Sequence, residues 1–204
     1  KIEWKADELL TVSLFLISEG NADSASRFLY TLFLKQEAQP KGELRAKILY
    51  QLFALLCDAE NERIALTKGD LNFYRDIAAS DTNPGITTGI LSLIFANENP
   101  HQELENKENS AVKLFNRAAA YRIFSEYKAE FPQKPELAQM YLDIVRLYTA
   151  EKDFEIAGNT LAEFEDRFKD SAEFPQVALK LADAYVVSGN AEKEREVYQK
   201  VLDH

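Results

Sequence analysis

The chain has 204 residues, 46% hydrophobic and 11% aromatic, which is enough apolar side chain for a folded core and excludes a disordered polyelectrolyte. Its 34 acidic and 24 basic side chains leave a formal net charge of -10, a field that repels phosphate backbones and anionic membrane surfaces, so nucleic acid is not expected as a partner. No apolar run approaches the roughly 18 residues of a spanning helix, so direct membrane insertion is not expected, and the single Cys57 excludes an internal disulfide.

The 7 glycines and 6 prolines fall mostly where periodic apolar segments end, which predicts an all-helical chain. The first segment, over residues 6–36, places Leu9, Val12 and Leu16 on one helix, then the break Ser18-Glu-Gly20-Asn21-Ala22-Asp23, then Ala25, Leu29 and Leu32 on a second helix. Gly20 is suited to the left-handed residue that ends the first helix, and Asn21 or Asp23 to the cap of the second. The next unit, 43–79, opens with a helix over about Glu43 to Asp58 carrying Leu44, Ile48, Leu49, Leu52, Phe53, Leu55 and Leu56. It continues as a long or bent helix from Glu60 to Ala79. The third unit, 85–131, is interrupted: a helix over Gly85 to Ala96 precedes a polar insertion, 97–109, expected to protrude as a loop, and a second helix runs from Ser110 to Phe131.

The last third repeats itself. Tyr148 and Tyr185, 37 residues apart, bring two stretches into register, one with Tyr141, Ile144, Tyr148, Asp153-Phe154, Ala157, Leu161 and Phe164, the other with Leu181, Ala182, Tyr185, Gly189, Tyr198 and Val201. These define units 135–169 and 175–204. A period of this length is the mark of a solenoid, in which stacking on neighbours buries the face that no unit can bury alone.

The arrangement of large residue, small residue, tyrosine, turn, alanine and aromatic resembles that of the tetratricopeptide repeat (TPR) family. The resemblance implies a right-handed superhelical solenoid of antiparallel helix pairs, about five here, in one domain. It also implies a non-enzymatic scaffold that binds a partner protein in a concave groove. The ending Glu130-Phe131-Pro132, with Phe168 at the equivalent place, is similar to TPR proteins of the bacterial envelope. A periplasmic or extracellular location is therefore favoured over a cytoplasmic one, and a chain starting at Lys1 is compatible with a removed signal peptide or lipid anchor, or with a longer parent chain.

Chemistry is sparse. His101 lies in the insertion and His204 is the last residue, so neither has an orienting neighbour; carboxylate pairs such as Glu163 with Asp166 sit at the spacing of a solvated helix face. Glu103, Glu105 and Glu108 lack the aspartate spacing and central glycine of a calcium loop. No two glycines are close enough to cradle a phosphate. No catalytic residue, metal or cofactor is expected; the competing reading places a ligand site or an active site in the insertion.

The resemblance assigns to the groove the outward residues of the first helix of each pair: Leu10, Leu14 and Ile17; Tyr50, Ala54 and Cys57; Leu93; Leu142 and Arg146; Leu179, Asp183 and Val186. The alternative reading is a structural subunit that stacks head to tail on further copies of itself, with Leu14 and Ile17 meeting Val197 and Val201.

Overall fold

The computed structural model describes residues 5–21, 24–25, 28–29, 42–58, 105–168, 171–172 and 174–203, with side chains from 116 onward in the long helix that begins at 105. Seven α-helices and no strand occur among these residues: α1 (Ala6–Ser18), α2 (Gly42–Cys57), α3 (Glu105–Glu130), α4 (Glu136–Ala150), α5 (Phe154–Arg167), α6 (Phe174–Ser188) and α7 (Ala191–Asp203). The expected helices over 60–79 and 85–96 lie outside the described residues, as do Trp4, Leu93, His101 and His204. The chain groups into two compact units, Lys1–Glu130 and Phe131–His204.

In the first unit α2 packs along α3. Ala46, Leu49, Phe53 and Leu56 recur every three or four residues and are buried, as are Ala119, Ala120, Ile123, Phe124 and Tyr127 on α3. Arg45 is the charged exception. Its guanidinium is buried against α3, where Nε and Nη2 donate to the two carboxylate oxygens of Glu130 at 2.6 and 2.7 Å and Nη2 donates to Glu126 at 2.9 Å. The hydrogen bond to Glu130 holds the Arg45 pKa above its ordinary value against the opposing effect of burial.

The polar insertion ends earlier than its composition suggests. Residues 105–109, expected in the loop, are the opening turn of α3, a helix of 26 residues. No Gly or Pro interrupts the sequence between Glu105 and Glu130, and Glu105 and Glu108 at its start favour the positive end of the helix dipole.

In the second unit α4 and α5 form one helical hairpin, α6 and α7 another, and α6 lies against both α4 and α5. Leu137, Met140, Tyr141, Ile144, Val145 and Tyr148 form the apolar stripe of α4, all buried. Phe164 of α5 stacks on Phe174 of α6, centroids 6.3 Å apart and planes 3° from parallel, and also meets Tyr141 and Phe168. Burying one such side chain contributes about 1.5–3 kcal/mol. Ala157 is fully buried, as expected of a close helix contact.

The same turn closes three helices. After α1, Asn21 N–H donates to Leu16 O at 2.8 Å and Gly20 N–H to Ile17 O at 3.0 Å; after α4, Asp153 donates to Tyr148 at 2.9 Å and Lys152 to Thr149 at 3.1 Å; after α6, Asn190 donates to Tyr185 and Gly189 to Val186, both at 3.0 Å. This 6→1 and 5→2 pairing requires a left-handed residue, and φ is 75° at Gly20, 62° at Lys152 and 75° at Gly189. Asn21 and Asn190 act as caps on the far side of the turn, their side-chain oxygens accepting from the N–H groups of Ser24 and Lys193, each at 3.2 Å.

Connections into the first helix of each hairpin repeat as well. Lys134 N–H donates to Phe131 O and Leu137 N–H to Lys134 O; 37 residues on, Ser171 donates to Phe168 and Phe174 to Ser171. The repetition read from side chains thus extends to the backbone hydrogen bonds of both kinds of connection.

Candidate functional site

Among the described residues of the second unit, an open groove of about 520 Å³ lies between α5, α6 and α7. Its floor is Gly158, Leu161 and Ala162 of α5, Leu181 of α6 and Val197 of α7. These are small or aliphatic residues, because two helices close in on a third here. Phe154 and Tyr185 form one end, with ring centroids 5.2 Å apart. The Tyr185 hydroxyl donates to the Phe154 carbonyl oxygen at 3.1 Å, and burial pushes its pKa above the ordinary tyrosine value.

The rim is polar and both of its lysines are paired with carboxylates. Lys193 donates to Glu196 at 2.7 Å, a bond that raises the lysine pKa, and Lys200 donates to Glu165 across α5 and α7. Glu155, Asn159 and Asn190 complete the edge. The lining contains no histidine, cysteine or serine, so it offers no nucleophile and base of the usual hydrolytic kind. Among the described residues no cluster of three or more His, Cys, Asp or Glu could hold a metal ion, and no helix is long and apolar enough to cross a membrane. An apolar floor with paired lysines on its rim suits an apolar side chain of another polypeptide better than a charged small molecule.

The groove expected from the sequence runs over different residues. In the second unit Arg146 is half-buried and pairs with Asp143 at 2.8 Å, while Leu179, Asp183 and Val186 are exposed on α6. Leu142, placed with them by its register, is only 1% exposed and belongs to the core. In the first unit Leu14 and Ala54 are exposed, Ile17, Tyr50 and Cys57 are half-buried, and Leu10 is buried. For the end-to-end contact, Val201 is half-buried and Val197 is buried in the floor of the α5–α7 groove.

Two arrangements are not legible in the sequence. The Arg45 cluster joins residues 81 and 85 positions apart, and nothing in the local pattern of α2 distinguishes Arg45 from a surface arginine. The α5–α7 groove arises between second helices of successive hairpins, whereas the family resemblance points to the first. Gly158, a glycine inside a helix, is the one local signal of it.

Compared with family models, curated proteins and solved structures, the chain matches none.

Proposed function

We propose that the chain is a TPR-like helical-repeat scaffold, a right-handed solenoid of about five helix pairs, that binds a partner protein and carries out no catalysis. The observation that carries this reading is the 37-residue recurrence of hydrogen-bonded connections, Phe131–Lys134–Leu137 with Phe168–Ser171–Phe174 and Tyr148–Asp153 with Tyr185–Asn190. A unit that repeats in backbone as well as in side chains buries its face on its neighbour, and such stacks present extended surfaces to other proteins. In the second unit that surface is Arg146, Leu179, Asp183 and Val186, a mixture of apolar contact and charge suited to an extended or helical segment. The likeness of the Glu130-Phe131-Pro132 ending to envelope TPR proteins supports a location outside the bacterial cytoplasm.

Site-specific photo-crosslinking in cells tests it. A crosslinker at Arg146 or Asp183 should give a recurrent adduct with one protein, identified by mass spectrometry, and the same group at Glu163, exposed on α5 outside the α5–α7 groove, should not. Identical adducts from both faces, or none, would count against a partner groove on the first helices.

A further inference from the structure

The α5–α7 groove has two unlike edges. Glu155, Asn159 and Ala162 recur along α5 at the spacing of one helix face, and Lys193, Glu196 and Lys200 do so along α7. On the α7 edge both lysines are taken up, Lys193 by Glu196 and Lys200 by Glu165. On the α5 edge Glu155 and Asn159 are exposed, and among the described residues neither side chain has a hydrogen-bond or ion-pair partner. Together three carboxylates meet two lysines, and the one left over is Glu155. The wider unit has the same sign, since residues 131–204 hold 15 acidic and 9 basic side chains.

Length and polarity decide what form of chain the groove suits. From Glu155 to Ala162 is two helical turns, about 10 Å, which is the span of about three residues in an extended chain. An extended chain also arrives with unpaired backbone N–H and C=O groups, whereas a helix has already satisfied its own. A carboxamide matches such a backbone with both a donor and an acceptor. Asn159 stands midway along the α5 edge, and beside it Gly158, Leu161 and Leu181 form the apolar floor.

We infer that this groove binds an extended, basic segment of a partner protein, in which an apolar residue and a lysine or arginine stand two positions apart and so point to the same side of the chain. The apolar side chain rests on Leu161 and Leu181, the main chain pairs with the Asn159 carboxamide, and the basic side chain meets Glu155. Charge selects this occupant over an acidic one. An acidic segment would have to draw Lys193 or Lys200 away from the carboxylate each already holds, within a field of net negative charge. A basic side chain displaces nothing at Glu155. The inference rests on the scaffold reading only in taking the chain to bind protein, since none of Arg146, Leu179, Asp183 and Val186 lines this groove.

Nuclear magnetic resonance titration of the 204-residue chain with short synthetic peptides tests it. The probes share a central leucine and carry arginine, alanine or aspartate two positions away. The arginine peptides should move the side-chain amide of Asn159 and the backbone amides of Glu155 and Gly158, more weakly as salt is raised, and should bind about fivefold more tightly than the alanine peptides. Glu155→Lys should reverse the preference between arginine and aspartate peptides, and Asn159→Ala should weaken the binding of the arginine peptides, both with an unchanged helical circular dichroism signal, as expected for exposed positions. A gain of binding to aspartate peptides cannot come from a misfolded chain. Absence of binding, arginine and aspartate peptides that bind alike, shifts confined to α4 and α6, or a preference unmoved by Glu155→Lys would each overturn the proposal. Resonances of Glu155, Gly158 and Asn159 that move with protein concentration alone would overturn it as well and assign the groove to a second copy. None of these outcomes alters the crosslinking expected at Arg146 and Asp183, so failure here is distinguishable from failure of the partner groove.

Discussion

The hydroxyl of Tyr185 crosses from α6 to donate to the carbonyl oxygen of Phe154 at 3.1 Å, and in doing so it stands 3.0 Å from where a Cβ on Gly158 would be. A buried hydroxyl on one hairpin thereby finds its acceptor on the first turn of the preceding second helix, and the close approach accounts for a glycine inside α5. Tyr185→Phe should keep the fold and cost about 1 kcal/mol, the net value of one hydrogen bond. Gly158→Ala gains about 1 kcal/mol of helix propensity but presses a methyl group against the hydroxyl. The alanine should therefore be better tolerated in the Tyr185→Phe background than in the parent, and a double-mutant cycle of denaturation free energies measures that coupling. Equal effects in both backgrounds would show that the hydroxyl does not set the residue at 158.

Titration of Tyr185 gives the same contact a pH signature. Burial raises its folded pKa above the ordinary 10.0, so the folded state holds the proton more tightly than the unfolded chain. The stabilisation is fully present below the unfolded value and is lost as pH rises through the folded one. Alkaline melting curves should show the parent losing stability from about pH 10 upward more steeply than Tyr185→Phe. Parallel curves would mean that the phenol is not held neutral by the fold.

Lys152 occupies a position that glycine fills in the two equivalent turns. Its φ of 62° places a Cβ-bearing residue in the left-handed region, which costs roughly 1 kcal/mol relative to glycine. Lys152→Gly should raise the denaturation midpoint by an amount of that order, less the backbone entropy that glycine adds to the unfolded chain, and Gly189→Ala should lower it. A destabilised Lys152→Gly would mean that the lysine side chain contributes more than its backbone costs.

Among the described residues of the first unit, Arg45 should be the most sensitive charged one. Its removal leaves Glu126 and Glu130 facing each other without the cation that joins them, although both are partly exposed and can regain water. Arg45→Ala should therefore cost about 2–3 kcal/mol, below the 3–5 kcal/mol of a fully buried pair. Arg45→Lys should recover only part of this, since an ammonium cannot donate bidentately to Glu130. Hydrogen exchange should report the loss in α2 and α3.

The parts of the fold legible in the sequence are those fixed by local chemistry. Gly20 and Gly189 end their helices in the left-handed conformation, Asn21 caps as its side chain allows, and the α4 stripe from Leu137 to Tyr148 follows from period 3.6. Lys152 is not legible as a left-handed residue, because only comparison with the glycine turns singles it out. Leu142 departs from expectation for a different reason: it is one turn from Arg146 on α4, but whether a residue at that spacing faces solvent depends on what the fold packs against it. The α5–α7 groove and the Arg45 cluster depend wholly on tertiary approach, and no spacing within one helix encodes them. Polar composition over 97–109 points to a loop only when it is weighed by hydrophobicity, whereas Glu105, Lys107 and Glu108 are also good helix formers.

The repeat itself can be tested by lengthening it. If residues 138–174 are one complete period, inserting a second copy of them directly after Phe174 preserves each connection, because Phe174 occupies the place of Leu137 before Ala138. The inserted hairpin would cover the first one as α6 does now, and α6 would cover the insertion. Stability in a stack of this kind is a sum of unit and nearest-neighbour contributions, so an added unit with two satisfied neighbours should not lower the midpoint. Circular dichroism should record two further helices in a cooperative transition. An insertion of the same composition, shortened by three residues within its own connection, should break the register and melt early. If both insertions fold equally well, or neither does, 37 residues is not the structural period, and the scaffold reading loses its foundation.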